Sequence, residues 1–175
     1  MDFIRLKNIN DENWNKIWGI YEESFPKHEL RNIKEQKEAM NDDKFFCIYV
    51  KEEETVVGII FYWEWEQFRY IEHFAVNPNL RGGGYGSKIL EEICNDDKIT
   101  ILEIDPVIDE ISERRLVFYE RLGFKMNKFN HLHPPYKKGD KGHKLKVLSY
   151  KCIISENQFS DFKNFLENHV MKYSE

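Results

Sequence analysis

The chain has 175 residues and a net charge of −5 at pH 7, with 41% hydrophobic, 33% charged and 15% aromatic residues. That is enough apolar content for a buried core, and it excludes a disordered chain. The acidic balance argues against non-specific nucleic-acid binding and mildly favours a cationic partner. Residues 1–10 lack the apolar centre of a signal peptide, and no run reaches membrane-spanning length. The expectation is a cytoplasmic protein with neither a membrane nor a nucleic-acid partner. Cys47, Cys94 and Cys152 are scattered and form no Cys-x-x-Cys, so neither a disulfide framework nor a zinc site is expected.

In chain order, residues 3–7 alternate apolar and polar side chains, which predicts a strand. Asn10 or Asp11 can cap a helix in which Trp14, Ile17, Trp18, Tyr21 and Phe25 recur at helical spacing, and Pro26 ends it. Residues 24–31 lead into a second, more polar helix reaching about Met40. Residues 44–51, 55–65 and 70–76 are β-rich runs joined by short polar turns, which predicts an antiparallel meander. Gly58 within the second run marks a bulge or a close backbone approach.

A Gly-rich loop follows, then a helix through Ile89, Leu90 and Ile93. A short strand at 99–104, a helix at 109–122 and a strand from Phe124 come next. Gly123 stands where a helix-terminating glycine belongs. Residues 130–142 read as a loop, 145–154 as the last strand, and Phe159, Phe162, Phe165 and Leu166 fall at helical spacing. Antiparallel strands first and βαβ units later predict an α/β fold of the α+β kind, a mixed and mostly antiparallel sheet with helices on both faces. A single domain over residues 1–175 is expected, with a core at 3–154 and a C-terminal helix at 155–171.

The most informative stretch is residues 76–90. Strand, Asn77-Pro78 turn, Arg81, Gly82, Gly83, Gly84, Tyr85, Gly86, Ser87 and helix follow one another. Such a loop leaves backbone N–H groups free at a helix N-terminus, where they can hold an anion such as a pyrophosphate. Lys88 follows Ser87 rather than a glycine, which rules out the P-loop spacing. The third glycine of a dinucleotide fingerprint would fall on Ser87 or Ile89, which rules that out too.

What fits is Arg-Gly-x-Gly-x-Gly after a strand and a turn. That resembles the CoA-binding motif of the GCN5-related N-acetyltransferase (GNAT) superfamily. A second match lies about thirty residues on, where residues 114–124 end in Phe-Tyr-Glu-x-Leu-Gly-Phe, similar to that family's other hallmark. The resemblance covers roughly residues 3–154. It implies a sheet whose two parallel strands, here 70–76 and 99–104, splay apart to admit CoA. It also implies acetyl-CoA as co-substrate, no metal, and direct transfer to a primary amine. No cysteine lies in either motif, which counts against a covalent enzyme intermediate. A CoA-binding sensor without turnover and a nucleotide-binding loop are the alternatives.

The resemblance also suggests roles for residues. Arg81 to Ser87 would cradle the pyrophosphate, and the backbone of Phe74, Ala75 and Val76 would pair with the pantetheine amides and help polarise the thioester. Tyr119 matches the tyrosine that protonates the CoA sulfur; the alternative is a half-buried helix aromatic. Many members carry an asparagine seven residues before that tyrosine, in contact with the cofactor, and Ser112 stands there instead.

Glu72 is the first candidate for general base. Period two puts Tyr70, Glu72, Phe74 and Val76 on one face and His73, read as a core histidine, on the other. Glu103 is the second candidate, and a water chain the third. His131 and His133 share a strand face but lack a third ligand at metal spacing. Trp63, Trp65 and Tyr136 are possible aromatics of an acceptor pocket. The acceptor is a small-molecule amine or a peptide or protein amine. Its contacts are expected from the first two helices and the 130–142 loop. The strand bearing Cys152 and the C-terminal helix are surfaces that would support a homodimer.

Overall fold

A computed structural model describes residues 1–174. The meander forms as its composition predicts. β1 (Asp2–Arg5), β2 (Phe45–Glu52), β3 (Thr55–Trp65) and β4 (Phe68–Val76) pair antiparallel in that order. β5 (Ile99–Ile104) then joins β4 in parallel. β8 (His143–Tyr150) returns antiparallel along β5 and also pairs with β6 (Phe124–Met126) and β7 (His131–His133). The expected loop at 130–142 therefore contains a short strand. The last strand ends at Tyr150, so Cys152 lies beyond it, exposed, in a bend.

Helices cover both faces, as the mixed order requires. α1 (Trp14–Ser24), α2 (Ile33–Met40) and α5 (Glu156–Phe165) lie over one face, where Ile17, Tyr21, Ala39, Phe61, Trp63 and Phe162 form one core. α3 (Tyr85–Ile93) and α4 (Glu110–Arg121) lie over the other, where Ile60, Tyr62, Ile89, Leu90 and Leu102 form a second. Capping boxes start three of these helices, with Asn32, Asp109 and Ser155 as the caps. α5 buries Phe162 and Phe165 and continues through a π-helical turn that buries Leu166 and Val170. The apolar face of the C-terminal helix is thus packed on its own chain.

Two bulges shape the sheet. Gly58 sits beside a register shift between β2 and β3. A Cβ on it would stand 2.9 Å from the Ala75 carbonyl oxygen and 3.0 Å from Ile89. Both readings of that glycine hold. The second bulge is in β4. Phe61 pairs with His73 and Tyr62 with Ile71, which leaves Glu72 without a partner on β3. An inserted residue resets the alternation of side chains. Tyr70, Glu72, His73 and Ala75 all turn toward the α1 side, while Ile71 and Phe74 turn toward α3. This corrects the simple period-two expectation. His73 shares a side with Glu72, and Phe74 does not.

Candidate active-site cleft

β4 and β5 stay paired only as far as Ile71 and Leu102. Beyond that point they diverge, and the next residues, Glu72 and Glu103, stand on either side of the fork. A cleft of about 940 Å³ opens there. One end is lined by Arg81, Gly82, Gly84, Gly86 and Ser87, the middle by Phe74, Ala75, Val76 and Tyr119, and the far end by Phe25, Glu29, His73, Glu103, Tyr136 and His143. Among the described residues, the edge of β4 that faces β5 has no strand partner beyond Ile71.

The Gly-rich end owes its shape to backbone conformations that side chains disfavour. Asn77 braces the preceding turn, accepting from the Asn79 N–H at 3.1 Å and donating to the Val56 carbonyl at 2.9 Å. Gly82 (φ 84°) and Gly84 (φ 77°) are left-handed, and Gly84 is the N-cap of α3. No side chain caps this helix and no acidic residue occupies its first turn. Its N–H groups and the positive end of its dipole are available to an anion. Gly83 turns tightly against the Leu80 carbonyl, and a Cβ on Gly86 would stand 3.3 Å from Phe118. The Tyr85 hydroxyl donates to Glu52 at 2.5 Å.

Tyr119 packs its ring against Phe118 and Phe124. Among the described residues no group hydrogen-bonds its hydroxyl. Burial, relieved only slightly by Arg115, pushes its pKa up to about 12. It is a neutral phenol on a residue that lines the cleft. Ser112 lies elsewhere. Its hydroxyl accepts from the Ile108 and Asp109 N–H groups and donates to the Asp109 carboxylate, so it serves the cap of α4 and lines no part of the cleft.

The two glutamates differ in what holds them. The Glu72 side chain is wholly buried. It accepts from Arg31 at 2.6 and 2.8 Å, from the Trp63 indole at 2.8 Å and from the Tyr136 hydroxyl at 2.8 Å. Burial favours the protonated form, but the Arg31 charge overrides it and the pKa falls to about 2. Glu103 accepts from the Tyr70 hydroxyl at 2.5 Å and from His131, with His133 at 3.7 Å. Burial opposes its ionisation, yet the facing His133 and His131 leave its pKa below the ordinary value. The His-x-His pair thus meets one carboxylate. Among the described residues no cluster of three His, Cys, Asp or Glu side chains is arranged for a metal ion.

His73 donates from Nε2 to the Glu29 carbonyl, 3.0 Å away, and lies edge-on to Tyr21 and Phe25. Trp63 and Trp65 do not line the cleft. Trp63 stacks on Tyr173, Trp65 on Phe165, and only Tyr136 of the three expected aromatics reaches the cleft wall.

Several lining residues had no distinctive sequence signal. Glu29 sits between His28 at 3.6 Å and His143 at 3.9 Å, and burial beside Asp105 raises its pKa. Arg115 pairs with Asp105 at 2.7 Å. Arg31 comes from a polar stretch that shows no pattern of its own.

Comparison with known proteins agrees with this geometry. The sequence profile of the Acetyltransferase (GNAT) family matches residues 10–124. The Bacillus subtilis protein YjbC, assigned as an acetyltransferase, is 32% identical over 115 residues, which is 65% of this chain and 57% of that protein. The match therefore spans little more than half of that relative's length. A solved structure assigned to the GNAT acetyltransferases, from Bacteroides thetaiotaomicron, superposes with a TM-score of 0.91 at 28% identity, covering 98% of each chain. A Bacillus subtilis acetyltransferase solved in complex with CoA shares the fold at a TM-score of 0.58 and 12% identity, covering 87% of this chain and 97% of that one.

Proposed function

The chain belongs to the acetyltransferase (GNAT) family, and from that premise we propose that it transfers an acetyl group from acetyl-CoA to a primary amine by direct attack in the β4–β5 cleft. The fork beyond Ile71 and Leu102 carries this reading. It aligns an uncapped helix N-terminus, an unpaired strand edge and a buried phenol along one cleft. Those features fit coenzyme A. The pyrophosphate suits the free N–H groups from Gly84 onward and the guanidinium of Arg81. The loop of Gly82, Gly83 and Gly84 leaves the main chain open to it, with Tyr85, Gly86 and Ser87 forming the first turn. The edge at Phe74, Ala75 and Val76 suits the pantetheine amides as an added strand.

When bound, acetyl-CoA supplies an activated thioester. The main chain at the β4 bulge is placed to donate to its carbonyl oxygen as negative charge grows there. Tyr119 gives its proton to the departing thiolate sulfur. The amine nitrogen becomes positively charged as its bond to carbon forms, and its proton is then acidic enough for a carboxylate to take. We assign that acceptance to Glu103, directly or through one water, because Glu103 lines the cleft while the carboxylate of Glu72 is already saturated. The acceptor is a small-molecule amine or a peptide or protein amine reaching the wall made by residues 24–29 and Tyr136.

Tyr119→Phe tests the assignment. The variant is expected to bind CoA within about twofold of wild type by calorimetry while transferring acetyl about 100-fold more slowly across an amine panel. Equal turnover would remove Tyr119 from the chemistry. Wild type that binds CoA and acetylates no amine would remove the enzymatic reading.

A further inference from the structure

A carboxylate buried beside a catalytic cleft that makes every hydrogen bond it can is spending them on something other than proton transfer. Glu72 has four donors: two N–H groups of Arg31, the Trp63 indole N–H and the Tyr136 hydroxyl. Two carboxylate oxygens offer about four lone-pair sites, so an incoming ammonium finds none free. We propose that Glu72 is a positioning residue of acetyl transfer, which with Arg31 and Tyr136 sets the open main chain of the β4 bulge against the acceptor wall and itself exchanges no proton. The inference rests on the acetyltransferase reading above.

Two observations carry it. Glu72 is the inserted residue of the bulge, with its side chain wholly buried while the residue as a whole keeps partial exposure. The exposed atoms are therefore main chain, turned toward the fork. Anchoring the side chain anchors those atoms.

The donors, moreover, come from segments far apart in the chain. Arg31 follows the 3₁₀ turn Lys27–Glu29 on the cleft wall, and it also donates to the carbonyls of Tyr173 at 3.2 Å and Val170 at 3.4 Å. Tyr136 lies on the connection between β7 and β8. One carboxylate thus gathers both sides of the acceptor wall and the C-terminal turn onto the strand that faces the thioester. A misplacement of about 1 Å at such a site costs about 100-fold in rate.

The test compares wild type, Glu72→Gln, Tyr136→Phe and the double variant Arg31→Met/Glu72→Met. Removing one buried charge strands its partner, whereas replacing both by apolar side chains of similar volume is often neutral for stability. Acetyl transfer is read with hydroxylamine, a small nucleophile that needs no acceptor pocket, as acetohydroxamate formed at several pH values. CoA affinity and thermal unfolding are measured alongside.

The double variant is expected to unfold near the wild-type temperature, bind CoA as tightly and transfer about 100-fold more slowly at every pH. Wild-type transfer by that folded variant would reduce the pair to a purely structural role and overturn the proposal. So would a Glu72→Gln protein that loses both plateau rate and the acidic limb of the pH profile while Tyr136→Phe keeps the wild-type rate, since that is the signature of a base. If the double variant does not fold, Tyr136→Phe decides, with about a tenfold loss at unchanged CoA affinity expected and an unchanged rate overturning the proposal. Failure of the underlying reading shows separately, as wild type that forms no acetohydroxamate above the uncatalysed rate, and it overturns both.

Discussion

At the scale of single residues, burial decides which ionisable groups can act. His73 lies among Tyr21, Phe25 and Phe61, and burial drives its pKa from 6.5 to about 4 against the raising pull of Glu72. It is neutral at physiological pH, as a core histidine should be. The linkage has a definite sign. Above pH 6.5 the imidazole is neutral in both folded and unfolded chains. As pH falls from 6.5 to about 4 the unfolded chain takes up a proton that the native one refuses, and stability is lost across that window, by up to about 3 kcal/mol. Glu72 and Asp42, whose folded pKa values are lowered to about 2, lose their contributions in the same direction at lower pH. The melting temperature should fall on acidification from pH 7 to 4. His73→Gln, which keeps a donor for the Glu29 carbonyl, should flatten that fall. An equally steep profile in the variant would remove His73 as its source.

At the scale of elements, glycines mark where the main chain must come close to something. At Gly84 the left-handed conformation lets α3 start with its N–H groups uncovered. Gly84→Ala is expected to cost about 1–2 kcal/mol in chemical denaturation and to weaken CoA binding measured by calorimetry. At Gly58 the constraint is steric, because the 2.9 Å approach to a main-chain carbonyl leaves no side chain to move aside. Gly58→Ala should destabilise by about 1–3 kcal/mol through overpacking. Both glycines were legible in the sequence, one from its motif and one as a break in a β-rich run. The bulge at Glu72 was not legible. Nothing local distinguishes Tyr70-Ile71-Glu72-His73 from a regular strand, and only the register of β3 against β4 inserts the extra residue.

At the scale of the whole molecule, the C-terminal helix belongs to the core. Phe162, Phe165, Leu166 and Val170 are buried against the α1 face, and Asp42 holds the end of the segment through His169 at 2.8 Å and Tyr173 at 2.7 Å. Four buried apolar side chains at about 1.5–3 kcal/mol each amount to about 6–12 kcal/mol, as much as a typical domain's entire stability. A chain truncated after residue 155 should show no cooperative urea transition. A sharp transition near that of the full chain would mean that α5 is an appendage.

What the linear chain determined by itself is the half of the site made by local chemistry. A loop of four glycines after a strand and an Asn-Pro turn leaves N–H groups open to an anion, because its conformations depend on neighbours a few residues away. The helix that carries Tyr119 was legible for the same reason, from its period and its terminal Gly123. The acceptor half depends on contacts forty to one hundred and forty residues apart, such as Arg31 with Glu72 and with Tyr173. Composition and spacing marked Glu72 and Glu103 alike, as carboxylates in apolar strands. Only the tertiary structure separated them, because the count of donors around a buried carboxylate is a property of every segment that packs on it.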